Sequence, residues 1–255
     1  MKDLLSPEHA PVLARLAAAR ALIAFDFDGT LAPIVAQRDA AGMRERTIAL
    51  FAQVCALYPC AVISGRARED VCVRLGATTV KYVMGNHGAE PGAHLSELEQ
   101  EMLRARLLLS ELLADRLATG GDVELEDKRY SLSLHYRKSS HKEAALSAIV
   151  AAMASLPSTI RVVPGKLVVN VVSAHARHKG EALLALCTAE QADAALYVGD
   201  DVTDENVFAL DQSERLVCVR VGESRASAAA YFLENQAAID TLLNRLAGLR
   251  QPRSG

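Results

Sequence analysis

The sequence predicts an α/β protein in which a parallel-sheet core is interrupted by a smaller α+β unit. Three observations predict it. Apolar runs at 21–27, 60–64, 80–84, 194–199 and 216–221 are too uniformly hydrophobic to alternate, which marks strands buried on both faces. Helical patterns at 45–57, 66–75, 179–186 and 204–210 separate them, as crossover helices separate parallel strands. The middle of the chain alternates instead. Over 130–137, Tyr130, Leu132, Leu134 and Tyr136 share one face, and Ser131, Ser133, His135 and Arg137 the other. That pattern predicts an antiparallel sheet with one wet face.

The rest of the middle follows in order. Leu98, Met102, Leu103, Leu107 and Leu113 give an amphipathic helix over 96–117. After the alternating strand come a helix at 141–153 and strands at 159–163 and 167–172. The chain is therefore expected to comprise a first core segment (1–88), an inserted unit (89–175) and a second core segment (176–255). The last residues, QPRSG, read as a frayed tail.

Composition narrows the class. The chain has 255 residues, 51% hydrophobic, with 15 Gly and 8 Pro, which is too apolar for disorder and long enough for a real core. Lys and Arg number 28 against 31 acids, a formal charge of −3. No basic field exists for nucleic acid or an anionic membrane, so an anionic ligand must be held by local charge. Five cysteines stand mostly in apolar stretches without CxxC or zinc spacing, which reads as buried reduced thiols. The start, MKDLLSPEHAPVLARL, has no signal-peptide core, and no uncharged apolar stretch reaches transmembrane length. A soluble cytoplasmic protein is expected.

Polar groups collect where the apolar runs end, the position of binding sites in open α/β sheets. Asp26-Phe27-Asp28-Gly29-Thr30 follows the first run. Residues two apart in a strand share a face, so both carboxylates are expected at one site. At ~4 Å and an effective dielectric of ~20 they would repel by about 4 kcal/mol. A divalent cation removes that cost, and Mg²⁺ favours a few carboxylates with phosphate oxygens. Gly199-Asp200-Asp201-Val202-Thr203-Asp204-Glu205 repeats the arrangement after the fourth run. Helix capping accounts for Asp204 and Glu205 but not for Asp200 and Asp201. Lys179 supplies a counter-charge for phosphate and carboxylates. Ser64-Gly65-Arg66 joins a hydroxyl to free N–H groups at a helix start, an anion site. No GxxxxGK[ST], GxGxxG or GxSxG pattern occurs.

DFDGT, SGR, the lysine of HKG and GDDVTDE, in that order, resemble the four motifs of haloacid dehalogenase superfamily phosphatases. The first, second and fourth are close to those of the trehalose-6-phosphate phosphatases. The resemblance extends through Gly85-Asn86-His87-Gly88-Ala89-Glu90, Glu126-Asp127-Lys128, His135-Tyr136-Arg137 and Pro164-Gly165-Lys166. It implies a Rossmann-like core with a mobile α/β cap, and Mg²⁺-dependent hydrolysis of trehalose 6-phosphate as the last step of trehalose synthesis. Asp26 would be the nucleophile and Asp28 the general acid and base. Mg²⁺ would sit on Asp26, the Asp28 carbonyl and Asp200, with Asp204 behind them or bridged by water. Lys179, Ser64, Gly65, Arg66 and Thr30 would hold the phosphate. Glu126, Lys128, Arg137, Lys166 and Asn170 would face the sugar, with Asn86 and His87 at the hinge edge.

Two positions depart from the family pattern. Asn170 stands where a glutamate is usual, and His178 where an aspartate often precedes the lysine. Rival readings are another sugar phosphatase or phosphosugar mutase on the same scaffold, and a receiver-type signalling module. Length, the DxD spacing and the insert argue against the receiver. Association in trans with a trehalose-6-phosphate synthase is the partner expectation.

Overall fold

Apolar runs with no polar member have no solvent side, so they form strands where helices cover both faces. The structure, a computed structural model, describes residues 1–35, 37–118, 121–210 and 215–251. In chain order its elements begin with β1 (Lys2–Asp3), α1 (Ala10–Ala18), β2 (Ala21–Phe25), α2 (Glu45–Leu57), β3 (Cys60–Ile63), α3 (Arg68–Leu75) and β4 (Tyr82–Met84). Then come α4 (Leu95–Leu112), α5 (Ala114–Leu117), β5 (Glu124–Asp127), β6 (Ser131–His135), α6 (Lys142–Met153), β7 (Ile160–Gly165) and β8 (Val168–Ser173). The last are α7 (Lys179–Ala189), β9 (Ala194–Gly199), α8 (Glu205–Phe208), β10 (Leu216–Val221), β11 (Tyr231–Leu233) and α9 (Ile239–Arg250). Two compact units result, Met1–Gly88 with His178–Gly255, and Ala89–Arg177.

The first unit holds a seven-stranded parallel sheet, ordered β1-β11-β10-β9-β2-β3-β4. Alternate residues of each strand serve opposite faces. Ile23, Phe25, Val62, Leu196, Val198 and Val219 pack with Leu13, Phe51, Val54, Leu242 and Leu246 of α1, α2 and α9. Leu22, Ala24, Ile63, Tyr197 and Cys218 pack with Ala182, Leu183, Val207 and Phe208 of α7 and α8. From β2 the chain winds one way to β3 and β4, and the other way to β9 and β10. The carboxyl ends of β2, β3 and β9 thus flank the point where strand order reverses, where such sheets bind ligands.

The second unit is a four-stranded antiparallel sheet, ordered β5-β6-β8-β7. Leu132, Leu134, Val169 and Val171 bury one face against Met102, Ala105, Leu109 and Ile149 of α4 and α6. Register puts Glu126 opposite Ser133 and Ser133 opposite Asn170.

The structure corrects several details. The helix expected over 66–75 begins at Arg68, because Ser64–Arg66 forms a turn of its own. The helix expected over 96–117 breaks at Leu113 into α4 and α5. Strand β6 ends at His135, so Arg137 lies in the following turn rather than on a strand face. The Ser131 and Ser133 side is buried rather than wet. Strands β1, β5 and β11 and helices α1 and α9 are additional to the expected elements. The tail expected to fray lies, from residue 252 onward, outside the described residues.

Candidate active site

Strand β2 stops at Phe25, and its ladder ends with Asp26 N–H donating to Val198 O at 2.8 Å. Asp26 is therefore held on the end of β9. Gly29 then turns the chain at a φ of +80°. A side chain there would collide with the Asp200 carboxylate, so glycine lets the loops after β2 and β9 close on each other.

Lys179 opens α7. Its preceding residue caps the helix, since His178 Nδ1 accepts from the N–H groups of Gly180 and Glu181 at 3.1 and 3.4 Å. The Glu181 carboxylate returns a bond to His178 N–H at 3.0 Å, completing a capping box. Histidine thus does the work of the aspartate usual at this position. The Lys179 ammonium is 1% exposed and lies 3.0 Å from Asp26 Oδ1 and 2.7 Å from Asp204 Oδ1. Burial alone would lower its pKa, but Asp204 and Asp26 outweigh that and raise it.

Asp26, Asp200 and Asp204 each bring a carboxylate oxygen to within 4.8 Å of the others. Burial drives Asp26 well above the ordinary aspartate range; Lys179 opposes the shift, and Asp204, Asp200 and Asp28 add to it. Asp200 is pushed up to about 7, first by burial and then by Asp204 and Asp201. Its Oδ1 is buried with no hydrogen-bond partner among the described residues. An orphaned carboxylate oxygen in a cluster of acids fits a hard divalent cation, which takes oxygen ligands and relieves the repulsion. Thr30 Oγ1 is likewise buried and without a hydrogen-bond partner among the described residues.

Asp28 adds its charge to Asp26, and its own carboxylate is held by Arg66. The chain leaves the strand before Asp28, so period-two spacing no longer applies. Arg66 grips the Asp28 carboxylate, Nε to Oδ2 at 2.6 Å and Nη2 to Oδ1 at 2.8 Å. The same guanidinium donates to Asp70 at 2.7 Å and to Arg38 O at 3.0 Å, and Asp70 also holds Arg74. Arg66 is thus engaged by two carboxylates and a backbone carbonyl.

Ser64 Oγ accepts the Arg66 N–H at 3.2 Å. The 64–66 turn is tied to the loop after β4 by His87 N–H to Ser64 O at 2.9 Å and Asn86 N–H to Arg66 O at 2.7 Å. A side chain on Gly65 would strike the His87 ring. Asn86 and His87 therefore belong to the floor of this loop cluster.

In the second unit, Glu126 Oε2 accepts from His135 Nε2 at 2.8 Å. Ser133 donates to Asn170 Oδ1 at 2.7 Å, and Asn170 Nδ2 donates to Val163 O at 3.4 Å. Glu126, Ser133, Asn170 and Val163 form one row across the sheet, with His135 two residues along β6. Lys128 is buried beside Ser131, whereas the exposed Arg137 donates to Lys166 O at 3.4 Å beyond the other end of β6. Lys128 and Arg137 thus bracket a strand of about 13 Å rather than meeting.

Sequence reasoning missed Tyr197 and Ser133. Each is a hydroxyl on a buried strand, and the lone polar residue in 194–199 was the available signal for the first.

Comparison with known proteins bears on these residues. Trehalose-phosphate phosphatase of Mycobacterium ulcerans is 33% identical over 241 residues, covering 89% of this chain and 62% of its own length. That of Mycobacterium tuberculosis is 29% identical over 254 residues, covering 91% and 62%. This chain therefore spans somewhat under two thirds of those relatives. Among solved structures, the C-terminal domain of Candida albicans trehalose-6-phosphate phosphatase superposes with a TM-score of 0.79 at 20% identity, covering 95% of this chain and 98% of that one. Aspergillus fumigatus trehalose-6-phosphate phosphatase gives 0.65 at 22%, covering 97% and 99%. At those identities the likeness is one of fold. The trehalose-phosphatase family itself matches residues 24–237, from the strand before Asp26 to beyond the acid cluster of β9, and the chain belongs to that family.

Proposed function

We propose that this chain is a phosphoric monoester hydrolase that releases phosphate from trehalose 6-phosphate through an aspartyl-phosphate. One observation carries the reading. The ammonium of Lys179 bridges Asp26 and Asp204 in a cluster with Asp200, whose Oδ1 is orphaned, at the strand-order switch of the sheet.

Asp26 attacks phosphorus, forming a new P–O bond as the bond to the sugar oxygen breaks. Asp28, oriented by Arg66 and entering the step with a proton taken from solvent, protonates the departing oxygen. Water then attacks the aspartyl-phosphate, Asp28 takes its proton, and the bond from Asp26 to phosphorus breaks to release phosphate. Lys179, the Ser64 and Thr30 hydroxyls and the Gly65 N–H stabilise the phosphoryl oxygens. Asp26 and Asp200, with the Asp28 carbonyl, would hold Mg²⁺, with Asp204 behind them or bridged by water, and the bound ion would offset negative charge on the phosphate.

The second unit is proposed as the cap that reads the sugar, through Glu126, Lys128, Arg137, Lys166 and Asn170. The five free cysteines suit a reducing cytoplasm, and no helix among the described residues is long and apolar enough to cross a membrane. Supply of the substrate by a trehalose-6-phosphate synthase bound in trans completes the reading, and co-elution of the two proteins tests it.

Phosphate release from trehalose 6-phosphate, glucose 6-phosphate and p-nitrophenyl phosphate, with and without Mg²⁺, tests the activity. Preference for the disaccharide ester with Mg²⁺ supports it. Faster release from glucose 6-phosphate would assign the scaffold to another sugar phosphate.

A further inference from the structure

Tyr197 is the one polar residue of β9 and is fully buried among Leu22, Ala24, Leu183 and Phe208. Its ring meets Phe208 edge-on with centroids 6.0 Å apart. Phenylalanine would fill the same space. What tyrosine adds is a hydroxyl, and that hydroxyl donates to Asp204 Oδ1 at 2.7 Å. The same oxygen receives the Lys179 ammonium at 2.7 Å, while Asp204 Oδ2 receives the Asp201 N–H at 2.9 Å. Three donors on two oxygens leave this fully buried carboxylate no rotation about its own bond. Asp204 in turn is one of the two anchors of Lys179, the other being Asp26 at 3.0 Å.

We propose that Tyr197 is a positioning residue for phosphoryl transfer, locking the Asp204 carboxylate so that Lys179 is held on Asp26. The inference rests on the reading of Asp26 as the phosphoryl acceptor. Without the hydroxyl, Asp204 keeps its bonds to Lys179 and the Asp201 N–H but loses one of three tethers, and the ammonium gains freedom in a site where misplacement is costly. Burial, followed by the charges of Asp204 and Asp26, raises the phenol pKa, so the hydroxyl remains a donor at neutral pH.

The test is Tyr197→Phe, read by turnover and by binding of fluoroberyllate, a phosphoryl mimic, in the presence of Mg²⁺. Turnover is expected to fall about tenfold on p-nitrophenyl phosphate and trehalose 6-phosphate alike, with KM held within about twofold. Fluoroberyllate affinity, measured by calorimetry, falls by about the same factor, and the melting temperature stays near wild type. In an Asp204→Asn background the further change Tyr197→Phe should leave fluoroberyllate affinity unaltered, because the pathway through Asp204 is already broken. Phe208→Leu, which loosens the same packing without touching the hydroxyl, should keep wild-type affinity. A folded Tyr197→Phe protein with wild-type kcat and fluoroberyllate affinity overturns the proposal. So does one that fails to fold, because the hydroxyl would then serve stability alone. If the wild type itself bound no fluoroberyllate, the reading of Asp26 would fall instead.

Discussion

Arg66 and Asp28 meet as a two-point fork, with nitrogen–oxygen distances of 2.6 and 2.8 Å, and Asp28 is still about two-fifths exposed. Parallel charge-assisted bonds fix the plane of a carboxylate as well as its place. Lysine cannot reproduce that geometry. Arg66→Lys should therefore slow phosphorylation of Asp26 by an alkyl phosphate by about tenfold to a hundredfold, less than the roughly 10²–10⁴-fold that acid catalysis as a whole supplies. With p-nitrophenyl phosphate, whose leaving group needs no proton, single-turnover phosphorylation should change little. Equal slowing on both would show that Arg66 acts on the phosphate itself.

Asp26 follows the central strand, with Oδ1 3.0 Å from the Lys179 ammonium. Asp26→Asn keeps its volume and leaves Lys179 paired with Asp204, so the fold should survive with little change in melting temperature. Turnover should drop below about one per cent of wild type, because covalent catalysis is lost. Any larger residual rate, or a fluoroberyllate adduct in the variant, would exclude Asp26 as the acceptor.

Metal and sugar recognition should separate by unit. Asp200→Ala removes an orphaned oxygen from the acid cluster. Calorimetry should then show Mg²⁺ binding weakened by about tenfold or more, with activity lost on every phosphate ester. Lys128→Ala and Arg137→Ala should raise KM for trehalose 6-phosphate several-fold while leaving p-nitrophenyl phosphate turnover near wild type. If both substrates suffered equally, neither residue reads the sugar.

Asn170 is bonded to Ser133 within the sheet, not to Lys166. Asn170→Ala leaves the Ser133 hydroxyl without its acceptor in a buried place, which should cost about 1–3 kcal/mol on urea denaturation and raise KM for the disaccharide. Asn170→Glu keeps an acceptor for Ser133 and adds a charge-assisted acceptor for sugar hydroxyls, so KM should fall. An unchanged KM in both variants would place Asn170 outside the sugar site.

His178 caps α7 through Nδ1, directly ahead of Lys179. Removing a good cap costs about 0.5–2 kcal/mol, so His178→Ala should lower the melting temperature by several degrees. His178→Asp should match or exceed wild type. A fully stable His178→Ala protein would mean that packing alone holds the helix start.

The chain's own residues announced the parallel sheet, because strands covered on both faces must be apolar throughout, and that pattern is local. They also marked Asp26, Ser64 and Asp200 as the ends of neighbouring strands, since polar groups break such runs only at their carboxyl edge. The edge strands Lys2–Asp3 and Tyr231–Leu233 escaped notice because two or three residues carry no period. Side-chain partnership was likewise decided only in three dimensions. Asp28 follows Asp26 by two residues, yet its ionic partner is Arg66, thirty-eight residues away. Tyr197 meets Asp204, seven residues on, because the chain turns back after β9, and Ser133 faces Asn170 only because strand register brings distant segments together. Periodicity sets which face a residue takes within its own element. What stands opposite that face depends on the packing of every other element, and no local pattern contains it.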